Sequence, residues 1–215
     1  MMETKFMNDL KKNWNNYDLR YLNPIDRRMT ALKEVEGMNT ENVRFLINYL
    51  VKNYAKNGTY LEVGSFRGAS LCSAAYKNHS TKCIGIDNFS VWDKDGTNMS
   101  ILNENIKPYA NIKFFESDYV DFFKKKLKLE TVDVYFYDGD HKLGAQYEGL
   151  LNILPFLKKK CIIIVDDTNW ERVSLANKSF LEMHTDFELL LDIKTPGNGH
   201  ASWWNGIQVM GRNIK

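Results

Sequence analysis

The strongest constraint in this sequence is an alternation of short apolar runs with segments of helical spacing, which begins after Gly58 and repeats five times. Near-continuous apolar runs are typical of parallel strands that are covered on both faces, and the helices between them are the crossover connections. The predicted strands of this series are 59–63, 82–86, 111–115, 132–137 and 161–165. The predicted helices are 26–36, 40–55, 66–77, 98–107, 119–128, 143–157 and 171–185.

Two further strands, 187–193 and 206–210, end the pattern without a helix between them. The linker 194–205 contains Pro and Gly and is too short for a crossover helix, so the last strand is expected to run antiparallel. The sequence therefore predicts an α/β fold, which is a Rossmann-like sheet of seven strands, mostly parallel, with an antiparallel last strand and helices on both faces.

The overall charge and the cysteines exclude several classes of protein. The formal net charge is only +2, from 29 basic and 27 acidic residues, which disfavours a nucleic-acid partner. The longest apolar run, 161–165, is too short to cross a bilayer, and the polar N-terminus does not resemble a signal peptide. An odd number of cysteines without a C-x-x-C pair predicts buried thiols in a reducing compartment, hence a cytoplasmic protein with no membrane partner. The helices before Gly58 leave a homo-oligomer open.

A glycine-containing turn, E-V-G-S-F-R-G at 62–68, follows the first strand. Ligands of open parallel sheets bind at the carboxyl ends of the strands, so this turn is a candidate binding element. Gly64 permits a tight turn and a close backbone approach, and Gly68 lets the next helix start against the sheet. The glycine spacing is neither that of a dinucleotide fingerprint nor that of a P-loop, which argues against NAD, FAD and nucleoside triphosphates.

Polar residues also follow the next two strands. Asp87 ends the second strand, where a carboxylate can accept both hydroxyls of a ribose. The third strand leads to Ser117 and Asp118, which are placed to meet the edge of an adenine. A glycine turn alone is also what an ordinary strand–helix loop looks like, so the evidence lies in the three features together.

These motifs, with I-G-I-D-N at 84–88 and E-S-D at 116–118, resemble those of class I S-adenosylmethionine-dependent methyltransferases. The resemblance covers residues 40–212 and implies a methyltransferase domain of residues 40–215 after an N-terminal helical extension of residues 1–39. It implies that Glu62 lies near the methionine amino end of the cofactor, that Asp87 binds the ribose and that Asp118 lies by the adenine. The cofactor-binding residues that it predicts are Glu62, Gly64, Ser65, Gly68, Asp87, Asn88, Ser117, Asp118 and Asp138.

A second group of polar residues follows the fourth and fifth strands. Asp138 ends the fourth strand, and Asp166 and Asp167 end the fifth. Three converging carboxylates repel one another unless a positive group enters, and a hard divalent cation such as Mg²⁺ prefers oxygen ligands. Such a cation stabilises a substrate oxyanion as its proton leaves, and His141 is placed to accept that proton as a general base.

The motif D-G-D-H, followed by a helix and then V-D-D, is similar to that of metal-dependent O-methyltransferases of the catechol and macrolide-sugar types. The resemblance implies that Asp138, Asp166 and Asp167 carry Mg²⁺. The catechol type has a lysine base about where His141 stands and an amide where Asp167 stands, so this chain departs from it at both positions. Two alternatives stay open: the aspartates cap helices only, or His141 acts as a base without metal.

The loop G-N-G-H-A-S-W-W-N-G, 197–206, precedes the last strand. A polar loop with two tryptophans predicts contacts with the methyl acceptor through His200, Trp203 and Trp204. The alternative is that one tryptophan fills the edge of the sheet.

The sequence as a whole predicts a methyltransferase that acts on a hydroxyl of a small molecule, such as a sugar, a glycan or a polyketide-type compound, with S-adenosylmethionine and Mg²⁺. A metal-independent O- or N-methyltransferase and a non-catalytic cofactor-binding module are the alternatives. A nucleic-acid substrate is disfavoured by the charge and by the lack of an N-P-P-Y-like stretch after the fourth strand.

Overall fold

A computed structural model describes residues 5–14, 27–125 and 131–214 of the chain. Seven strands form one sheet: β1 Thr59–Val63, β2 Lys82–Asp87, β3 Ile112–Glu116, β4 Val132–Tyr137, β5 Leu157–Asp166, β6 Phe187–Ile193 and β7 Ile207–Arg212. Their order in the sheet is β3-β2-β1-β4-β5-β7-β6.

The direction of the strands agrees with the sequence prediction. The strands β1 to β5 pair in parallel, and β7 runs antiparallel to both β5 and β6. The strand order reverses at β1, where the chain passes first to β2 and β3 on one side and later to β4 and β5 on the other. The predicted Rossmann-like, seven-stranded sheet with an antiparallel last strand is confirmed.

The helices of the described residues are α1 Lys5–Lys11, α2 Glu41–Tyr54, α3 Ala69–Ala75, α4 Asn98–Ile106, α5 Tyr119–Lys125, α6 Leu143–Ile153 and α7 Glu171–Met183. Short 3-10 helices lie at Arg27–Leu32 and Leu154–Phe156. Thr40 caps α2, because its side chain accepts a hydrogen bond from the backbone N–H of Val43. Among these helices, none combines the length and the apolarity that crossing a membrane requires.

Two predicted helices are shorter than the sequence pattern indicated, one at its end and one at its start. The helix predicted at 143–157 stops at Ile153, because Pro155 lacks a backbone N–H and disfavours helical geometry in the residue before it. Strand β5 therefore begins at Leu157, four residues before the predicted start. The helix predicted at 66–77 begins only at Ala69, because Gly68 has a left-handed backbone with a φ of 87°.

Two apolar clusters cover the two faces of the sheet. One contains residues of α2 and α3, together with Phe6, Leu10 and Trp14 from the N-terminal region, and the other contains residues of α5, α6 and α7. The N-terminal residues therefore pack in the same core as α2, and a domain boundary after residue 39 stays a prediction. Three cysteines are free and buried, as predicted: Cys72, Cys83 and Cys161.

We expect the fold to depend on Asn48, a fully buried residue of α2. Its Nδ2 donates hydrogen bonds to the carbonyl oxygens of Ser73 and Tyr76, at 2.8 and 2.7 Å, where α3 ends. Replacing Asn48 by Ala should lower the free energy of unfolding by about 2–4 kcal/mol, because two carbonyls lose their donor. Urea titration measures this loss. The matched change Asn53→Ala, on the exposed side of the same helix, should cost less than about 0.5 kcal/mol, and equal losses would contradict the assignment.

Candidate active site

The carboxyl ends of three neighbouring strands meet at one level of the sheet. In the pairing register, Val63 of β1 lies beside Tyr137 of β4, which in turn lies beside Val165 of β5. The residues that follow these strands, Gly64, Asp138 and Asp166, are therefore brought together by the register alone.

The glycine turn lies directly against the end of β4. The backbone N–H of Asp138 donates to the carbonyl of Val63 at 2.9 Å, and the N–H of Gly64 donates to the carbonyl of Ile86 at 2.9 Å. Gly64 has a φ of 88°, and a Cβ atom at this position would lie 1.9 Å from the carbonyl oxygen of Asp138. Only glycine fits here, so the turn and Asp138 form one continuous surface.

Glu62 lies beneath this turn and is fully buried. The Tyr60 hydroxyl donates a hydrogen bond to its Oε2 at 2.6 Å, and the Ser70 hydroxyl donates to its Oε1 at 3.2 Å. Burial raises the pKa of Glu62 to about 7, although the hydrogen bond from Tyr60 lowers it. Nearby, the Ser65 hydroxyl is buried and makes no hydrogen bond with the described residues. The turn therefore encloses a carboxyl group whose pKa is raised to about 7 and, beside it, the buried hydroxyl of Ser65.

Asp87 fixes the glycine turn to the end of β2. Its Oδ2 accepts the backbone N–H of Phe66 at 2.7 Å, and its Oδ1 accepts the N–H of Phe89 at 2.8 Å. Asn88 is exposed, and its side chain accepts the N–H of Ser90 at 3.1 Å. Each oxygen of Asp87 keeps a lone pair with which it can accept a further hydrogen bond.

Ser117 and Asp118 lie beside Asp87 at the end of β3. The N–H of Ser117 donates to the carbonyl of Asp87 at 2.9 Å. The side chain of Asp118 is exposed and caps α5, because its Oδ1 accepts the N–H groups of Val120 and Asp121 at 2.9 and 3.3 Å. The predicted adenine-side residues are thus adjacent to the predicted ribose-binding residue.

Asp138, His141 and Asp167 form a cluster on the other side of the turn. The Nε2 atom of His141 lies 2.9 Å from Asp167 Oδ2 and 3.8 Å from Asp138 Oδ1. One ligand atom from each of the three residues lies within 4.8 Å of the others, which suits a single metal ion. The ring system of Trp170 packs against His141 in a T-shaped arrangement, with the centroids 4.7 Å apart, and limits the positions of the imidazole.

Asp166 does not belong to this group of converging atoms in the described residues. Its side chain is buried, and its Oδ1 accepts the backbone N–H of Asp167 at 2.9 Å. Asp167 has a left-handed backbone with a φ of 57°, which sends the two neighbouring side chains in different directions. The structure therefore brings together two of the three predicted metal ligands, with His141 as the third member of the cluster.

The charges in and behind the cluster influence one another strongly. Burial, together with the charges of Asp166 and Asp167, raises the pKa of Asp138 well above its usual range. Burial and the charge of Asp167 also raise the pKa of Asp166. Burial alone would lower the pKa of His141, but the hydrogen bond to Asp167 and the charges of both carboxylates outweigh it, so this pKa is raised. A positive group that enters the cluster would relieve the repulsion among these carboxylates.

Asp140, although it lies between two members of the cluster, is directed elsewhere. It is exposed, and its carboxylate accepts hydrogen bonds from the backbone N–H and the Nζ of Lys142, both at 3.0 Å. This contact precedes the first turn of α6 and fixes the chain that carries His141.

Of the two tryptophans in the loop 197–206, Trp203 is fully buried and packs near Trp14, with their ring systems 6.0 Å apart. The prediction of a substrate contact for Trp203 needs correction, because a ring without exposed area cannot stack on an acceptor. Trp203 instead fills space inside the protein, as the alternative interpretation proposed. Trp204 is half-buried. His200 is also half-buried, and its Nδ1 lies 2.8 Å from the Ser202 hydroxyl. Acceptor contacts of His200 and Trp204 stay predictions.

The sequence reasoning missed Asn205. Its Nδ2 donates a hydrogen bond to Asp167 Oδ1 at 2.5 Å, and the residue is buried. The available signal was the antiparallel last strand: because Ile207 pairs with Asp166, residues just before β7 must lie beside residues just after β5.

Comparison with solved structures shows the same fold in O-methyltransferases. The O-methyltransferase from Bacillus cereus, solved with S-adenosylhomocysteine, is 12% identical with a TM-score of 0.65, and the match covers 99% of this chain and 93% of that one. The O-methyltransferase TomG from Streptomyces achromogenes, which is involved in tomaymycin synthesis and was solved with S-adenosylmethionine, is 14% identical with a TM-score of 0.63, over 99% and 91% of the two chains. At these identities the likeness shows the fold alone. No match was found among curated proteins.

A family model described as "Methyltransferase domain" matches residues 61–168, which is just over half of the chain. The match begins in β1, includes the glycine turn and ends directly after the Asp166–Asp167 pair. The predicted resemblance to class I methyltransferases is confirmed, and the chain belongs to this family.

Proposed function

We propose that this enzyme transfers the methyl group of S-adenosylmethionine to a hydroxyl group of a small molecule. The observation that carries the proposal is the contact between Gly64 and Asp138, which joins the glycine turn to the Asp138–His141–Asp167 cluster. A methyl donor on the turn and a hydroxyl at the cluster would thus be neighbours. The cofactors and the O-methyltransferase activity of the two similar structures support this choice.

The turn and the ends of β2 and β3 would hold the cofactor. The free lone pairs of Asp87 suit the two ribose hydroxyls, and Ser117 and Asp118 lie beside it on the adenine side. Glu62, in its ionised form, and the unpartnered Ser65 hydroxyl suit the amino-acid end. The remaining members of this proposed set are Gly64, Gly68, Asn88 and Asp138.

His141 would accept the proton of the acceptor hydroxyl. Its Nε2 faces the cluster, whereas its Nδ1 is buried and makes no hydrogen bond with the described residues. Asp167 orients the imidazole, and Trp170 limits its rotation. For proton transfer, Nε2 must be unprotonated and face the hydroxyl in place of Asp167.

The residues present fit a divalent cation, Mg²⁺ being the one proposed from the sequence. Asp138 and Asp167 would hold it, with His141 beside them, and Asp166 would support Asp167 through its backbone. The chemistry that such an ion supplies is stabilisation of the acceptor oxyanion. The acceptor classes proposed are sugar, glycan and polyketide-type hydroxyls, and a cytoplasmic location remains part of the proposal.

A metal-independent O- or N-methyltransferase is the second candidate. It is favoured by the 2.9 Å contact of His141 with Asp167, because the imidazole, whose pKa the neighbouring carboxylates raise, can supply the positive charge that they would otherwise take from a metal ion.

We expect the cofactor to bind more tightly above pH 7 than below it. The ionised Glu62 attracts the ammonium group of S-adenosylhomocysteine, and since its pKa is about 7, the ionised fraction falls from about 0.9 at pH 8 to about 0.1 at pH 6. Calorimetric titration of S-adenosylhomocysteine between pH 6 and 8 measures this dependence. Glu62→Gln should flatten it, and Glu104→Gln, an exposed control on α4, should not. A wild-type profile that is flat across pH 7 would refute the role of Glu62.

The same shift predicts a pH dependence of stability in the ligand-free protein. Since folding raises the pKa of Glu62 above its ordinary value of 4.5, folding favours the protonated carboxyl. Its contribution is present below pH 4.5 and is lost as the pH rises through 7, so wild type should lose more stability over this range than Glu62→Gln.

We expect methyl transfer to require a divalent cation. An assay with S-adenosylmethionine and a panel of small hydroxyl compounds should show turnover with Mg²⁺, none in EDTA, and recovery when Mg²⁺ is added back. Asp138→Asn should lower the turnover by at least about tenfold, because it removes a charged ligand. The control Glu171→Gln changes an exposed carboxylate in the first turn of α7 and should keep full activity. Full wild-type turnover in EDTA would select the metal-independent candidate.

We expect His141→Gln to lower turnover by roughly 10²–10⁴-fold, the usual contribution of a general base. The affinity for Mn²⁺, measured by calorimetry, should change little, as should the affinity for S-adenosylhomocysteine. Wild-type turnover should fall on the acid side as His141 becomes protonated, because a protonated imidazole cannot accept the proton of the hydroxyl. His79→Gln, at an exposed site, is the control. A loss of Mn²⁺ affinity equal to that in Asp138→Asn would make His141 a metal ligand instead of the base.

A further inference from the structure

Both polar atoms of the Asn205 side chain make hydrogen bonds, one to the cluster and one within the loop 197–206. Its Nδ2 donates to Asp167 Oδ1 at 2.5 Å, and its Oδ1 accepts the backbone N–H of Gly199 at 2.6 Å. Its carbonyl oxygen also accepts the N–H of Asn169 at 2.7 Å. A donor on one side and an acceptor on the other leave a single orientation for the amide.

We infer that Asn205 is a positioning residue that fixes the carboxylate of Asp167 toward His141. This inference rests on the proposed function. Asp167 has two carboxylate oxygens: Asn205 binds Oδ1, and Oδ2 lies 2.9 Å from His141. Because the backbone of Asp167 is left-handed, with a φ of 57°, surrounding contacts must hold it in this uncommon conformation.

The amide is the chemical group that suits this position. A carboxylate at 205 would add a further negative charge to a region that already contains Asp138, Asp166 and Asp167. A lysine or an arginine would neutralise Asp167 and compete with His141 for it. An amide donates a hydrogen bond and adds no charge, so Asp167 keeps its full attraction for a cation or for the imidazole.

Asn205 also fixes the distance between the cluster and the proposed acceptor loop. The loop is attached to the start of α2, because the carbonyl of Ser202 accepts hydrogen bonds from Thr40 Oγ1 at 2.7 Å and from Asn42 Nδ2 at 2.9 Å. His200 and Trp204, the proposed acceptor contacts, belong to the same loop. Without Asn205, the loop would no longer be held against Asp167. We therefore expect the turnover rate to fall more than the affinity for the cofactor.

The first experiment measures turnover and cofactor affinity. Asn205→Ala should lower kcat about 10- to 100-fold, the usual effect of removing a residue that orients a catalytic carboxylate, and should change the affinity for S-adenosylhomocysteine less than threefold. The matched control is Asn78→Ala. Asn78 is 7% exposed, against 8% for Asn205, and its side chain bonds two backbone carbonyls. It precedes β2, and so lies at the end of the strands opposite to the cluster. An unchanged kcat in Asn205→Ala would overturn the inference.

The second experiment exchanges the two side chains. Asn205→Asp alone should lower both the melting temperature and kcat, because two carboxylates would face each other. The double variant Asn205→Asp/Asp167→Asn restores a hydrogen-bonded pair but places the charge away from His141, so it should recover the melting temperature and not kcat. Recovery of kcat as well would show that only the hydrogen bond matters, and would overturn the positioning role.

The third experiment is independent of activity. In the ligand-free protein, the melting temperatures of Asn205→Ala, Asp167→Ala and the double variant form a cycle, and the hydrogen bond predicts that the double variant loses less than the sum of the single losses. Additive losses would overturn the inference whatever the kinetics show. Coupled losses in a protein that methylates no hydroxyl compound would instead refute the proposed function.

Discussion

The close approach of two backbones, at Gly64 and at Asp138, is the constraint on which the site depends. It follows from the parallel pairing of β1 with β4, which brings both strand ends to one level. The missing side chain at Gly64 then allows the turn to lie on the carbonyl of Asp138. Any Cβ at this position would push the turn away from β4 and separate the two halves of the site. A single register and a single glycine thus determine how near a methyl donor on the turn would be to a hydroxyl at the cluster.

Much of this arrangement could be predicted from the sequence, because the signals are local and regular. The strands Val132–Tyr137 and Phe187–Ile193 begin and end where the apolar pattern predicts, since buried strands need continuous apolar residues. The topology then places the polar residues after β1, β4 and β5 at one edge. The ends of helices are harder to predict, because one proline or one left-handed glycine overrides the periodic pattern, as at Pro155 and Gly68.

The composition of the cluster depends on features that the sequence does not display. Asp166 and Asp167 look equivalent in sequence, but the left-handed backbone of Asp167 separates them, so that one accepts a backbone N–H and the other faces His141. The two tryptophans of the loop also look alike. Their difference arises from Trp14, which lies far away in the chain and packs near Trp203. Contacts between distant segments decide such cases, and neither periodicity nor residue type reports them.

Negative charge is stabilised differently at the glycine turn, where Glu62 lies, and in the Asp138–His141–Asp167 cluster. This difference fits a reaction with a cationic methyl donor. Glu62 is buried alone beneath the turn, where Tyr60 and Ser70 donate to it and its proton is held up to a pH of about 7. A cationic ligand beside Glu62 would favour loss of this proton and thus the negatively charged carboxylate. The carboxylates near His141 are held together in the folded protein, and their charges raise the pKa of the imidazole that faces them. In the ligand-free protein, bound protons and the imidazole of His141 reduce the repulsion among these carboxylates. Cationic ligands would reduce the same repulsion once they bind. The same groups then favour positive charge where the methyl donor and the proton acceptor meet.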